Sequence, residues 1–155
     1  MSRAQQDPAL SGSHWRVVPR VLCFVRSGDD VLLLRGAPTK RIWANLYNGL
    51  GGHVEPGEDV YSAVVREVRE ESGLAVAEVR LRGVTVVDAG DPAAGILFFT
   101  FTARAADRTT QPCAEGTLSW VPAGEVGALE LVEDLRVVLP RIVAMRDDEP
   151  PYFAH

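Results

Sequence analysis

Three glutamates close together, Glu67, Glu70 and Glu71, set the chemistry open to this chain. On a helix successive residues turn by about 100°, which gathers the three carboxylates into an arc of ~100°. Val60, Tyr61, Val64, Val65 and Val68 recur at three- and four-residue spacing and form a separate apolar stripe. The pattern predicts a helix over Asp59–Ser72, stopped by Gly73, with its valine face docked and its carboxylates turned outward. As a solvated surface helix it gains an Arg66–Glu70 i,i+4 pair, about 0.2–0.5 kcal/mol, but the like charges Glu67 and Glu71, also four apart, cost a similar amount. As a cation site, the same carboxylates offer hard oxygen ligands of the kind that suit Mg²⁺ or Mn²⁺. Spacing alone leaves both readings open.

The elements that must position this helix are mostly strands. Val17–Val25 and Val31–Leu34 are apolar and β-branched, and the turn cluster Ser27-Gly28-Asp29-Asp30 between them predicts a hairpin. Residues 36–57 read as a long loop punctuated by Gly36, Pro38, Gly49, Gly51, Gly52, Pro56 and Gly57; a connection of that length inside a domain points to function. Val76–Val87 and Ile96–Ala105 are strand candidates joined by a turn at 88–95, and Leu118–Val121 is a further short strand. A helix is expected over about Glu133–Met145, kinked or interrupted by Pro140. Phe98, Phe99 and Phe101 read as core and strand-face residues. The expected layout is a flexible tail at 1–14, one domain at 15–147 and a non-helical tail at 148–155. Strands and helices do not alternate regularly, which argues against a doubly wound sheet.

Composition narrows the function classes. The 155 residues, 46% hydrophobic, fit one globular domain. No apolar run approaches the ~20 residues of a membrane helix, and Met1–Arg20 lacks the apolar core of a secretory signal. Two cysteines, Cys23 and Cys113, make no disulfide framework, so a reducing, cytoplasmic setting is expected. With 21 acidic against 16 basic residues the net charge is -5, which speaks against a nucleic-acid polymer as partner.

The segment Gly52 to Leu74 matches, at every defined position, the pattern Gly, five residues, Glu, seven residues, Arg-Glu, aliphatic, any, Glu-Glu, any, Gly, aliphatic. This is the Nudix box, and the chain resembles the Nudix hydrolases. The flanking Asn48-Gly49-Leu50-Gly51-Gly52-His53 resembles the MutT-like, nucleoside-triphosphate branch that includes 8-oxo-dGTP diphosphatases. The resemblance implies an α/β fold, a mixed and partly antiparallel β-sheet sandwiched between α-helices, with the box as loop–helix–loop. It implies Mg²⁺, with Mn²⁺ as a substitute, held by Glu70, Glu71 and the Gly51 carbonyl. Glu67 would bind a second metal or act as the base, Arg66 would orient Glu67, and Glu58 would support the loop–helix geometry with occasional metal contact. Glu115 resembles a distal loop glutamate that adds a metal ligand in some members. Gly52 and Gly57 suit tight backbone turns.

For the substrate, Arg35, Lys40, Arg41 and His53 are phosphate candidates, each equally readable as a surface charge. Asn48 offers donors and an acceptor to a purine edge, or simply makes the turn before Gly49. Asp134 either meets the base or caps the last helix. Trp43 and Trp120 either stack on a base or pack. The implied activity is hydrolysis of a nucleoside triphosphate, an oxidised or non-standard purine one, to monophosphate and pyrophosphate. An ADP-ribose or nucleotide-sugar pyrophosphatase is the alternative: its proline marker past the box has only Pro92, slightly late, as a counterpart. A non-catalytic nucleotide sensor is a third reading, opposed by retention of all the box glutamates. A homodimer is common among such relatives.

Overall fold

The computed structural model describes residues 15–155; the tail expected at 1–14 lies outside the described residues. Alternation along the first strand organises the molecule. In β1 (Arg16–Ser27) and β2 (Asp30–Gly36) nearly every residue of the central stretch is buried, because this hairpin is covered on both faces. Val21, Cys23, Val25 and Leu32 face one core; Phe24, Val31 and Leu33 face the other. Successive strand side chains point to opposite faces, so a continuous apolar run is what a doubly covered strand requires.

The first core is closed by α1 (Val60–Ser72), which buries Ala63, Val64 and Val68. Its start is fixed by Asp59, whose Oδ1 accepts the backbone N–H groups of Tyr61 and Ser62, both at 2.9 Å. Its end is fixed by Gly73 at φ 77°, a left-handed conformation that suits glycine. The second core is closed by a 3₁₀ turn at Ala123–Ala128 and by α2 (Leu135–Ala144), through Leu135, Leu139 and Ile142. α2 starts two residues later than the sequence suggests and runs through Pro140 as one helix. Proline removes one backbone donor, but burial of Leu139 and Ile142 on either side keeps the turn in place.

The sheet is mixed, in the order β3-β2-β1-β6-β5-β8, with β4 against β1 and β7 against β2. Its remaining strands are β3 (Tyr47–Asn48), β4 (Leu50–His53), β5 (Val76–Asp91), β6 (Ala94–Ala105), β7 (Gly116–Pro122) and β8 (Tyr152–Ala154). β1 runs parallel to β6, and β5 parallel to β8; the other pairings are antiparallel. β1 divides its free edge: Val25–Ser27 pair with β2, whereas Arg20–Cys23 pair with β4. That division carries the glycine-rich segment onto the sheet beside α1. The 36–57 stretch is therefore not all loop.

Two further expectations change. The turn placed at 88–95 is shorter, because β5 and β6 continue to Asp91 and Ala94. The stretch expected as a C-terminal tail returns to the sheet as β8, with Tyr152 buried in the second core. Among the described residues no helix is long and apolar enough to cross a membrane.

Candidate active site

β4 and α1 build the site together. Gly52 lies in β4 opposite Val21, with the Glu67 carboxylate directly over its Cα. A methyl group on Gly52 would sit 2.6 Å from Glu67 Cδ and 2.9 Å from Oε2, so only glycine lets the carboxylate lie there.

Arg66 ties the glutamates together. Its Nε and Nη2 donate to the two oxygens of Glu58 at 2.8 and 2.9 Å. Nη1 donates to Glu67 at 2.9 Å and to Glu70 at 3.3 Å, and Nη2 also reaches the His53 carbonyl at 3.1 Å. The planar guanidinium matches carboxylates two atoms at a time, which a lysine could not do. Arg66, and then the Glu55 N–H, hold the Glu58 carboxyl below the usual carboxylate range. Glu58 thus ties the loop to α1. Glu67 is 15% exposed and Glu70 60%, so Glu67 is the more enclosed of the two.

Glu71 lies on the sheet side of the group, where its Oε2 accepts the Gly51 N–H at 2.9 Å. Burial pushes its carboxyl up to about 7; the Gly51 bond opposes this, and the charges of Glu67 and Glu115 add to it. Glu115, on the turn before β7, pairs with Lys40. One guanidinium cannot neutralise Glu58, Glu67 and Glu70, and among the described residues Glu71 forms no ion pair. Among the described residues no three acidic, His or Cys side chains converge on one point as a finished metal cage. Mg²⁺ does not need one, since it is commonly held by one or two carboxylates plus water and substrate phosphate. The donor set therefore fits a hard divalent cation.

These groups open into a cleft of about 1130 Å³. Of the sequence candidates, Asn48, Gly51, His53, Glu67, Glu70, Glu71, Glu115 and Asp134 line it, with Arg66, Lys40 and Trp43. Asn48 Oδ1 accepts the Gly49 N–H at 2.8 Å, so its oxygen serves the turn and its Nδ2 is the atom left for a ligand. Asp134 makes no side-chain cap bond, which removes the capping role.

Arg35 is not brought to the cleft. Leu34 lines it, and strand alternation turns Arg35 the other way, over the Tyr47 ring at 5.8 Å with Nε bonded to the Asn45 carbonyl. Trp120 also stays outside: its Nε1 donates to the Arg108 carbonyl, and Arg108 covers its ring at 4.8 Å. Sequence reasoning missed Arg20 and Phe98, which stand at 5.8 Å from each other on the cleft wall. Their signal was available only through pairing, because β1, β4 and β6 place Arg20 between His53 and Phe98.

A mixed sheet between helices, with a glycine strand feeding an arginine-clamped acidic helix, defines an α/β domain built around a carboxylate-lined cleft. The chain matches the NUDIX domain over residues 16–142 and belongs to the NUDIX family. It is similar to the NAD-capped RNA hydrolase NudC of Stutzerimonas stutzeri, 42% identical over 73 residues, which cover 46% of this chain and 25% of that protein. The chain thus spans about a quarter of the length of the curated relatives it matches. Among solved structures it is similar to a mutator MutT protein from Bacillus halodurans, with TM-score 0.72 and 26% identity over 83% of this chain and 84% of that one. A MutT protein from Methanosarcina mazei shares the fold, with TM-score 0.68 and 22% identity over 84% and 95% of the two chains.

Proposed function

We propose that the protein hydrolyses the pyrophosphate linkage of a nucleoside triphosphate, an oxidised or non-standard purine nucleotide such as 8-oxo-dGTP, releasing nucleoside monophosphate and pyrophosphate. One observation carries this reading: the carboxylates gathered by Arg66 line the same 1130 Å³ cleft as Asn48, Trp43 and Asp134. That is room for a nucleotide with its phosphates at the gathered carboxylates and its base against an amide, an indole and a carboxylate.

Glu70, Glu71 and the Gly51 carbonyl would hold Mg²⁺, with Mn²⁺ able to replace it and Glu115 within reach of the same charge. Bound there, the cation would neutralise phosphate charge and ease deprotonation of the attacking water. Glu67 takes that proton; Arg66 fixes its direction through the 2.9 Å bond, and Gly52 leaves it room. Arg20, Lys40 and His53 face the phosphates. Asn48 Nδ2 donates to an acceptor on the base, and Asp134 accepts from a base N–H.

A second reading has one observation in its favour. The relatives that match half of this chain or less are named as hydrolases of NAD-capped RNA, which points to a pyrophosphate between two nucleosides, in the same class as ADP-ribose and nucleotide sugars. A panel of triphosphates, 8-oxo-dGTP, ADP-ribose, NAD and NAD-capped RNA with Mg²⁺, followed by phosphorus NMR, separates the two. Monophosphate plus pyrophosphate from a triphosphate supports the first. Cleavage confined to ADP-ribose, NAD and NAD-capped RNA replaces it, and binding without turnover of any substrate leaves a sensor.

A further inference from the structure

We propose that the chain carries a second, metal-independent anion site at the opposite end of β1 from the cleft, taking a small phosphate-bearing anion such as inorganic phosphate or pyrophosphate. A cavity of about 240 Å³ lies there, lined by Arg26, Arg80, Arg82, Arg104 and Arg146 against only two carboxylates, Glu78 and Asp147. Arg20 of the cleft and Arg26 of this cavity are six residues apart on β1, roughly 20 Å at strand rise, so the two sites are separate.

Part of the arginine cluster has a structural use. Arg82, with its side chain 5% exposed, donates to Thr102 Oγ1 at 2.8 Å, to the Arg146 carbonyl at 2.9 Å and to Asp147 at 3.1 Å. Arg80 donates to the Asp147 carbonyl at 3.1 Å, and the two arginines together latch the segment that leads into β8. Arg104 pairs with Glu78 at 2.6 Å, and Arg146 turns to Asp148 and Glu149.

The latch does not account for Arg26. Its Nη1 donates to the Val143 carbonyl at 3.2 Å, its Nε is buried without an acceptor, and it pairs with no carboxylate among the described residues. The β1–β6 register also sets Arg26 directly beside Arg104, and like charges on neighbouring strands repel. Arg80 and Arg82 share the single carboxylate of Asp147, which is itself 55% exposed. The cavity therefore holds cationic donors in excess of its acceptors. A tetrahedral oxyanion supplies several acceptors and the missing charge at once, in the bidentate geometry that guanidinium groups favour. The volume is below that of pockets that enclose drug-sized ligands, which selects a small anion over a whole nucleotide.

The test is calorimetric titration of the full chain in EDTA with phosphate, pyrophosphate and a nucleoside monophosphate. Without metal the acidic cleft repels all three, so the readout is independent of the hydrolase reading. Phosphate or pyrophosphate binds the wild type, and Arg26→Met, which keeps the apolar stem, weakens that binding about tenfold or more, as loss of a charge-assisted contact implies. Glu70→Gln leaves it unchanged, and Arg26→Met leaves the melting temperature and Mg²⁺-dependent turnover at wild-type values. Tighter pyrophosphate than phosphate identifies the reaction's own product as the ligand; the reverse order identifies free phosphate. Absence of binding at millimolar anion, or equal affinity in wild type and Arg26→Met, overturns the proposal, as does a monophosphate that binds in preference to both inorganic anions.

Discussion

Gly52→Ala isolates the close approach of β4 to the acidic helix. The added methyl would lie 2.6 Å from Glu67 Cδ, whereas ordinary contact begins at 3.4 Å, so the carboxylate must retreat by about 0.8 Å. What moves is the end of a flexible side chain, so the fold yields locally. Weakening the 2.9 Å Arg66–Glu67 bond costs about 1–2 kcal/mol for a charge-assisted contact, and the alanine recovers about 0.4–1 kcal/mol through the unfolded chain. The net melting shift is a few degrees at most for a chain of this size. Misplacing a catalytic group by about 1 Å costs roughly a hundredfold in rate, or ~2.7 kcal/mol of barrier. The assay is Mg²⁺-dependent release of pyrophosphate, alongside thermal unfolding, in a cycle with Glu67→Ala. Once the carboxylate is gone the methyl has nothing to displace, so adding Gly52→Ala to Glu67→Ala changes turnover by less than about twofold. Equal losses in both backgrounds, or wild-type turnover in the folded single variant, would refute the link between Gly52 and Glu67.

Three further outcomes are expected. Glu70→Gln and Glu71→Gln each lower turnover at least about a hundredfold, while circular dichroism shows an intact fold; near-normal turnover in a folded Glu70→Gln protein removes the metal-ligand assignment. In the metal-free protein the folded Glu71 carboxyl titrates near 7, above its ordinary value of 4.5, so the folded state holds this proton more firmly than the unfolded one. Glu71 then favours folding fully below pH ~4.5, and that contribution is lost as pH rises through ~7. Melting in EDTA measures it as a slope that Glu71→Gln flattens. Tyr152→Phe is neutral or stabilising by up to about 1 kcal/mol in thermal unfolding, because the buried Tyr152 hydroxyl has no hydrogen-bond partner among the described residues.

Local signals made α1 legible. Asp59, the valine stripe and Gly73 each act within one or two turns, and each acts as its residue type predicts. The β1–β2 hairpin was readable for the same reason. β5 was readable over Val76–Val87, but its continuation to Asp91 was not, because the irregularity between Asp88 and Asp91 breaks the two-residue alternation that marks a strand. β8 pairs three residues with a strand some seventy positions earlier, a contact with no local signature. At the site, the glutamates were legible as a group, but Arg66's hold on Glu58 and on the His53 carbonyl depends on how the loop returns over the helix. Arg35 shows the opposite failure. Its type and place in the chain suited phosphate binding, and one step of strand alternation gave the cleft to Leu34 instead.

The net charge of -5 looked like evidence against polyanions. Its distribution reverses part of that inference. Glu58, Asp59, Glu67, Glu70 and Glu71 fall within one short segment, where Arg66 can compensate only some of them. A triphosphate brought to these side chains meets carboxylates that Arg66 compensates only in part, and like charges repel. On the proposed reading, a cation between substrate and protein is what lets them share the site. Removing divalent metal with EDTA therefore abolishes triphosphate binding in the cleft as well as turnover, measured by competition with a fluorescent nucleotide. Tight nucleotide binding that persists in EDTA and competes at the cleft would show that Arg20, Lys40 and Arg66 outweigh the glutamates, and the argument from charge would fail.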